Sequence, residues 1–127
     1  MSYFFLEAYE RVNKNKVEEY ERMATAVDKI VEQTEPGMLI HTQTKVSEND
    51  HEVVYRWLEV YEKFEDFLFH LKNESVYSHM QKISDGILKG PIEVVIYSDW
   101  NEDQKQRCRQ LPGISLSFAP LVNGYFR

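Results

Sequence analysis

The sequence predicts an α+β fold: a ferredoxin-like βαββαβ antiparallel sheet with its helices on one face. Three observations carry this. Segments with strand alternation and segments with helical spacing follow one another in the order β-α-β-β-α-β. The middle two strands are joined by a short polar turn, as in an antiparallel hairpin. No repeat, linker or low-complexity tract interrupts the series, and right-handed crossovers then bring both helices to one side.

Tyr3 to Val12 mixes aromatic and aliphatic residues without helical spacing. It reads as a strand with Phe4, Leu6 and Ala8 on one face and Tyr3, Phe5 and Tyr9 on the other. Asn15-Lys16-Val17-Glu18 offers an N-cap residue with Glu three positions later, and Val17, Tyr20, Ala24, Val27 and Val31 form a helical stripe. That helix ends near Thr34, because Pro36 biases the preceding residue away from helix and Gly37 supplies a turn. Met38 to Val46 alternates, with Met38, Ile40, Thr42 and Thr44 on one face and Leu39, His41 and Gln43 on the other. Ser47 to Asp50 is turn chemistry, and the β-branched, aromatic run Val53 to Tyr61 is the third strand.

Phe64, Phe67, Leu68 and Leu71 begin a second helical stripe, which breaks at Asn73-Glu74-Ser75 and resumes at Val76, His79, Met80, Ile83 and Ile87. Gly90-Pro91 ends it, and Ile92 to Tyr97 is the fourth strand. Residues 99–127 form a C-terminal extension of the single domain 1–127. Within it, Asn101 to Leu111 is a polar, weakly amphipathic helical turn. Ile114 to Phe118 alternates as a fifth strand, expected along a sheet edge of the same or a partner subunit.

A chain of 127 residues, 43% hydrophobic and 28% charged, suits one folded core. Its net charge of −6 and the absence of a clear basic cluster disfavour a nucleic-acid partner. The one cysteine, Cys108, excludes an internal disulfide and fits a reducing compartment. No apolar run approaches the roughly 18 residues of a membrane span, so the expected location is cytoplasmic, with no membrane partner. Strand three is apolar on both faces, with Val54, Leu58 and Val60 against Val53, Tyr55, Trp57 and Tyr61. Helices can cover one face only, so a partner sheet, and hence a homodimer, is expected on the other.

Glu35-Pro36-Gly37, Tyr55 to Tyr61 and Phe67-Leu68-Phe69-His70-Leu71, in this order, resemble the antibiotic-biosynthesis monooxygenase family over roughly residues 3 to 98. The resemblance implies a dimeric α+β barrel of two sheets packed face to face. It also implies a small aromatic, phenolic or quinone-like substrate oxygenated without metal or flavin. The haem-degrading branch of the superfamily is a poorer match, since Glu7 and Ala8 stand near its first-strand asparagine and His70 near its tryptophan; His79 matches its histidine only approximately.

Candidate catalytic residues are Glu59, His70 and His79. Glu59 lies between Trp57 and Tyr61, where partial desolvation would raise its pKa, or where it would serve as a structural hydrogen-bond acceptor. His70, on the flank of its helical stripe, and His79, nearer the middle, each have an ordinary pKa suited to a general base, with a satisfied structural histidine as the alternative for both. Trp57, Tyr55, Tyr61, Phe67 and Tyr77 are candidate substrate-binding residues that would line a flat aromatic cavity, or else plain core. The four histidines are scattered, without metal-ligand spacing, and glycines are too few for a phosphate loop, so no metal and no cofactor is indicated. The expected function is a cofactor-independent monooxygenase, and the alternative is a non-catalytic dimeric module that binds a small ligand or a partner.

Overall fold

The computed structural model describes residues 3–109 and 111–127. Its elements are β1 (Phe4–Asn13), α1 (Val17–Thr34), β2 (Met38–Glu48), β3 (Glu52–Tyr61), α2 (Phe64–Lys72), α3 (Glu74–Ser84), β4 (Ile92–Ser98), α4 (Glu102–Cys108) and β5 (Ile114–Pro120). The sheet order is β2-β3-β1-β4-β5. The first four strands form the antiparallel ferredoxin-like arrangement, and β5 adds in parallel at the β4 edge of the same chain. The sheet is therefore mixed rather than wholly antiparallel. The chain crosses back through α4 between β4 and β5, and such a crossover delivers the next strand in the parallel sense.

Alternation sets the two faces. Phe4, Leu6, Ala8, Glu10 and Val12 of β1 and Val53, Tyr55, Trp57, Glu59 and Tyr61 of β3 are buried. Against them α1 places Tyr20 and Ala24, α2 places Phe64 and Phe67, and α3 places Ile83; each large apolar side chain buried this way contributes about 1.5–3 kcal/mol. Phe4 stacks on Tyr61 at 5.1 Å and meets Trp100 edge-on at 4.7 Å, which ties the start of the C-terminal extension to the core.

Two local expectations are corrected. Asn15 does not cap α1: it sits within a 3₁₀ turn, Lys14–Lys16, and Lys16 occupies the cap without a side-chain bond. The reciprocal capping box belongs to α4 instead. There Asn101 Oδ1 accepts from the Gln104 amide at 2.9 Å, and Gln104 Oε1 accepts from the Asn101 amide at 3.0 Å. With Cys108 fully buried, this short helix is an integral part of the packing.

The second correction concerns β2. Met38 pairs with Tyr61 and Ile40 with Val60, so a bulge at Leu39 absorbs one residue. Beyond it His41 pairs with Glu59 and Gln43 with Trp57, and these side chains join Met38 on the helix-covered side. An extra residue reverses the alternation of everything after it.

The opposite face of the sheet carries half-buried Phe5, Leu58, Val60, Val95 and Tyr97. It is not uniformly apolar: Arg56 lies 3.4 Å from Glu7, whose Oε1 accepts from the Tyr97 hydroxyl at 2.8 Å. No helix among the described residues is long and apolar enough to cross a membrane.

Candidate active site

The turn after α1 aims a carboxylate at α2. Pro36 ends the helix, the Glu35 amide donates to the Val31 carbonyl, and Gly37 lets α2 approach, since a Cβ there would stand 2.1 Å from Asp66 Cγ. Glu35 is thereby held in the interior facing His70, in the last turn of α2. His70 Nδ1 donates to both Glu35 oxygens at 2.9 Å. Asn73, between α2 and α3, donates its side-chain amide to Glu35 Oε2 at 2.9 Å and to Thr34 Oγ1 at 3.1 Å. An ionised carboxylate only accepts, which fixes the proton on Nδ1 and leaves Nε2 for the interior.

That Nε2 lies 3.8 Å from Glu59 Oε1, which also accepts from the Tyr61 hydroxyl at 2.5 Å. On the other side of the same carboxylate, His41 Nε2 lies 3.7 Å from Glu59 Oε2, while His41 Nδ1 donates to Asp28 Oδ1 on α1 at 2.8 Å. The His41 ring stacks on Trp57 at 4.2 Å with 12° between planes. Two carboxylate-oriented imidazoles thus converge on one buried carboxylate. Among the described residues, no group of three or more His, Cys, Asp or Glu is disposed to hold a metal ion.

These groups line a cavity of about 70 Å³ between sheet and helices. Glu59, His70, His79, Trp57 and Phe67 line it, and so do His41 and Glu10, which sequence reasoning did not select. Tyr55 and Tyr61 are buried in the core without lining it, and Tyr77 is 53% exposed on α3. The remaining wall is mostly aliphatic, including Val27, Val31, Leu71, Met80 and Val94, so of the five expected aromatic residues only Trp57 and Phe67 line it. The strand tyrosines are spent elsewhere: Tyr55 packs on Tyr20 of α1 and Tyr61 on Phe4 and Phe67, and their hydroxyls donate to Glu21 and Glu59.

The electrostatics separate the histidines. Burial disfavours the His70 cation, but the charges of Glu59 and Glu35 and the Glu35 hydrogen bond outweigh it, and the pKa is raised above the ordinary value. His79 is pushed down to about 4, by burial first and then by His41 and Lys82, so it is neutral at physiological pH. Tyr61 is raised, by burial and the adjacent Glu59, and stays a proton donor. The site therefore holds one imidazole whose cation is favoured and one whose cation is disfavoured.

No family model matches this sequence, and no curated protein matches it. Solved structures do. A candidate antibiotic biosynthesis monooxygenase from Caulobacter crescentus CB15 superposes with a TM-score of 0.67 at 20% identity, covering 75% of this chain and 87% of that one. Another from Nitrosomonas europaea gives 0.68 at 17% identity, over 76% and 88%. MupZ from Pseudomonas fluorescens gives 0.63 at 17% identity over 100% of this chain and 96% of that one, a span that includes α4 and β5. The chain therefore has the α+β fold of the antibiotic-biosynthesis monooxygenase structures.

Proposed function

We propose that the chain is a cofactor-independent monooxygenase acting on a small phenolic or quinol-like molecule bound in the Glu59 cavity. The observation that supports this most is the convergence of His41 and His70 on Glu59 in a largely apolar wall. In this reading the Glu59 carboxylate takes the substrate's hydroxyl proton, and His70, whose cation the surrounding carboxylates favour, stabilises the resulting phenolate. The anion supplies electrons to dioxygen and a carbon–oxygen bond forms. One oxygen atom stays on the oxidised product, and the other leaves as water. The dry cavity keeps the anion reactive.

The size of the cavity bears on the substrate. At about 70 Å³ it is roughly half the ~150 Å³ that holds benzene in an engineered apolar cavity. Small single-ring molecules, admitted by movement of flexible side chains such as Met80, fit this reading better than polycyclic ones. A homodimer packed through the open sheet face, in the cytoplasm, completes the proposal. The half-buried apolar residues there need a cover, and sedimentation should give twice the 15.1 kDa chain mass.

Oxygen uptake with a panel of phenols and quinols, without added metal, tests the function. Uptake should occur, and Glu59→Gln should slow it about a hundredfold. Absence of uptake across the panel would overturn the oxygenase reading. A second reading, a non-catalytic binding module, is favoured by one feature: the Asn73–Glu35–His70 bonds also brace α2 against the end of α1, a purely structural use of the same groups.

A further inference from the structure

Glu10 is a buried carboxyl that the mechanism above does not use. It stands on the inner face of β1, 4% exposed, and lines the same cavity. Its Oε1 accepts from the Tyr20 hydroxyl on α1 and from Trp57 Nε1 at 3.4 Å. Gln43 on β2 holds Tyr20 in place, donating to its hydroxyl at 2.8 Å. Among the described residues nothing donates to Oε2, and that oxygen is not among the side-chain atoms sealed away without a partner. A carboxyl kept for structure alone has both oxygens satisfied. This one is anchored by one oxygen, and its other oxygen is left without a donor on a residue that lines the cavity.

The register places Glu10 and Glu59 at opposite ends. Glu59 pairs with Leu6, Trp57 with Ala8 and Tyr55 with Glu10. Leu6 and Glu10 are four residues apart on one strand, which is roughly 13 Å of backbone. Trp57 lies on the row between, its Nε1 donating to Glu10 and its face stacked on His41. The two carboxyls of one cavity are thus separated along the sheet by the Trp57 row, within a wall that is otherwise mostly aliphatic.

We propose that Glu10 binds one oxygen of a ligand whose second oxygen lies at the Glu59 end, so that the cavity selects small molecules with oxygen functions at two opposed ends. This rests on the reading that the Glu59 cavity is the substrate site. Burial pushes the Glu10 carboxyl up to about 7, against the Tyr20 and Trp57 hydrogen bonds and with a further rise from the Glu59 charge. Near neutral pH it therefore serves either partner chemistry, donating to a carbonyl when protonated and accepting from a hydroxyl when ionised.

Hydroquinone and phenol differ only in the second oxygen, so anaerobic titration calorimetry of the full chain with each isolates the effect. The wild type should bind hydroquinone about tenfold more tightly than phenol. Glu10→Leu should bring that ratio near one, chiefly by weakening hydroquinone, because phenol has no second oxygen to lose. Glu10→Gln, of the same shape, should retain a preference of about threefold, since it loses the charge-assisted bond but keeps a neutral one; it decides the matter if the leucine variant does not fold. Binding of neither compound, no preference in the wild type, or an unchanged ratio in a folded variant would overturn the proposal. No turnover is needed, so absent oxygen uptake with a Glu10-dependent preference would strike the oxygenase reading alone, and oxygen uptake without the preference would strike Glu10 alone.

Discussion

The two imidazoles beside Glu59 have nearly the same geometry and very different surroundings. Each donates Nδ1 to a carboxylate, at 2.8 Å for His41 and 2.9 Å for His70, and each points Nε2 at Glu59 from 3.7 or 3.8 Å. The Asp28 side chain that orients His41 is 48% exposed, whereas the Glu35 side chain that orients His70 is 2% exposed. Water screens the first pair, and the second has only its partners. Equal distances therefore do not mean equal energies, because a charge without water depends wholly on what it touches.

Breaking the buried pair should have the largest effect. Glu35→Ala leaves His70 Nδ1 without its acceptor and removes one of the two from Asn73; it should cost about 3–5 kcal/mol, read as a lower urea midpoint, and a midpoint equal to wild type would mean the pair is dispensable. Gly37→Ala acts one step back, forcing Asp66 away from the turn that aims Glu35. Because the clash is with the tip of one side chain, it should cost about 1 kcal/mol, and a melting temperature equal to wild type would contradict it. A smaller effect is expected from pH. The folded pKa of His70 is raised, so its contribution is fully present below the unfolded value near 6.5 and is lost as pH rises through the folded value. The stability difference between wild type and His70→Gln should shrink along that rise, and a difference flat with pH would show that the cation is not involved. Asp28→Asn should cost less than about 1 kcal/mol. A loss as large as that from Glu35→Ala would erase the distinction between the two pairs.

Much of this was legible in the sequence, and the exceptions share a cause. The alternation in Val53 to Tyr61 put Glu59 and Trp57 on one face because strand three is regular from end to end. The break at Asn73 was legible because an Asn before Glu-Ser is a cap, and its side chain does accept from the Ser75 amide. His41 was not legible. Strict alternation placed it opposite Met38, and only the bulge at Leu39 turns it inward, a feature set by pairing with β3 rather than by local composition. Glu10 was missed for a related reason, since one acidic residue in a strand looks solvated until Tyr20 and Trp57 are brought to it from distant parts of the chain. Aromatic content likewise foretold rings in the interior but not which of them would face empty space, and Tyr77 lies outside altogether.

The position of Trp57 makes the cavity self-reporting. Its indole nitrogen is hydrogen-bonded to Glu10 and its ring lies flat on His41, so the environment of one chromophore is shared between the two ends. Indole emission depends on what the ring stacks on and on the bond at its nitrogen. The second indole, Trp100, is packed among Phe4, Phe64 and Phe67 and contributes a steady background. A ligand that displaced either neighbour of Trp57 would therefore be expected to change the intrinsic fluorescence of the chain, with no label attached.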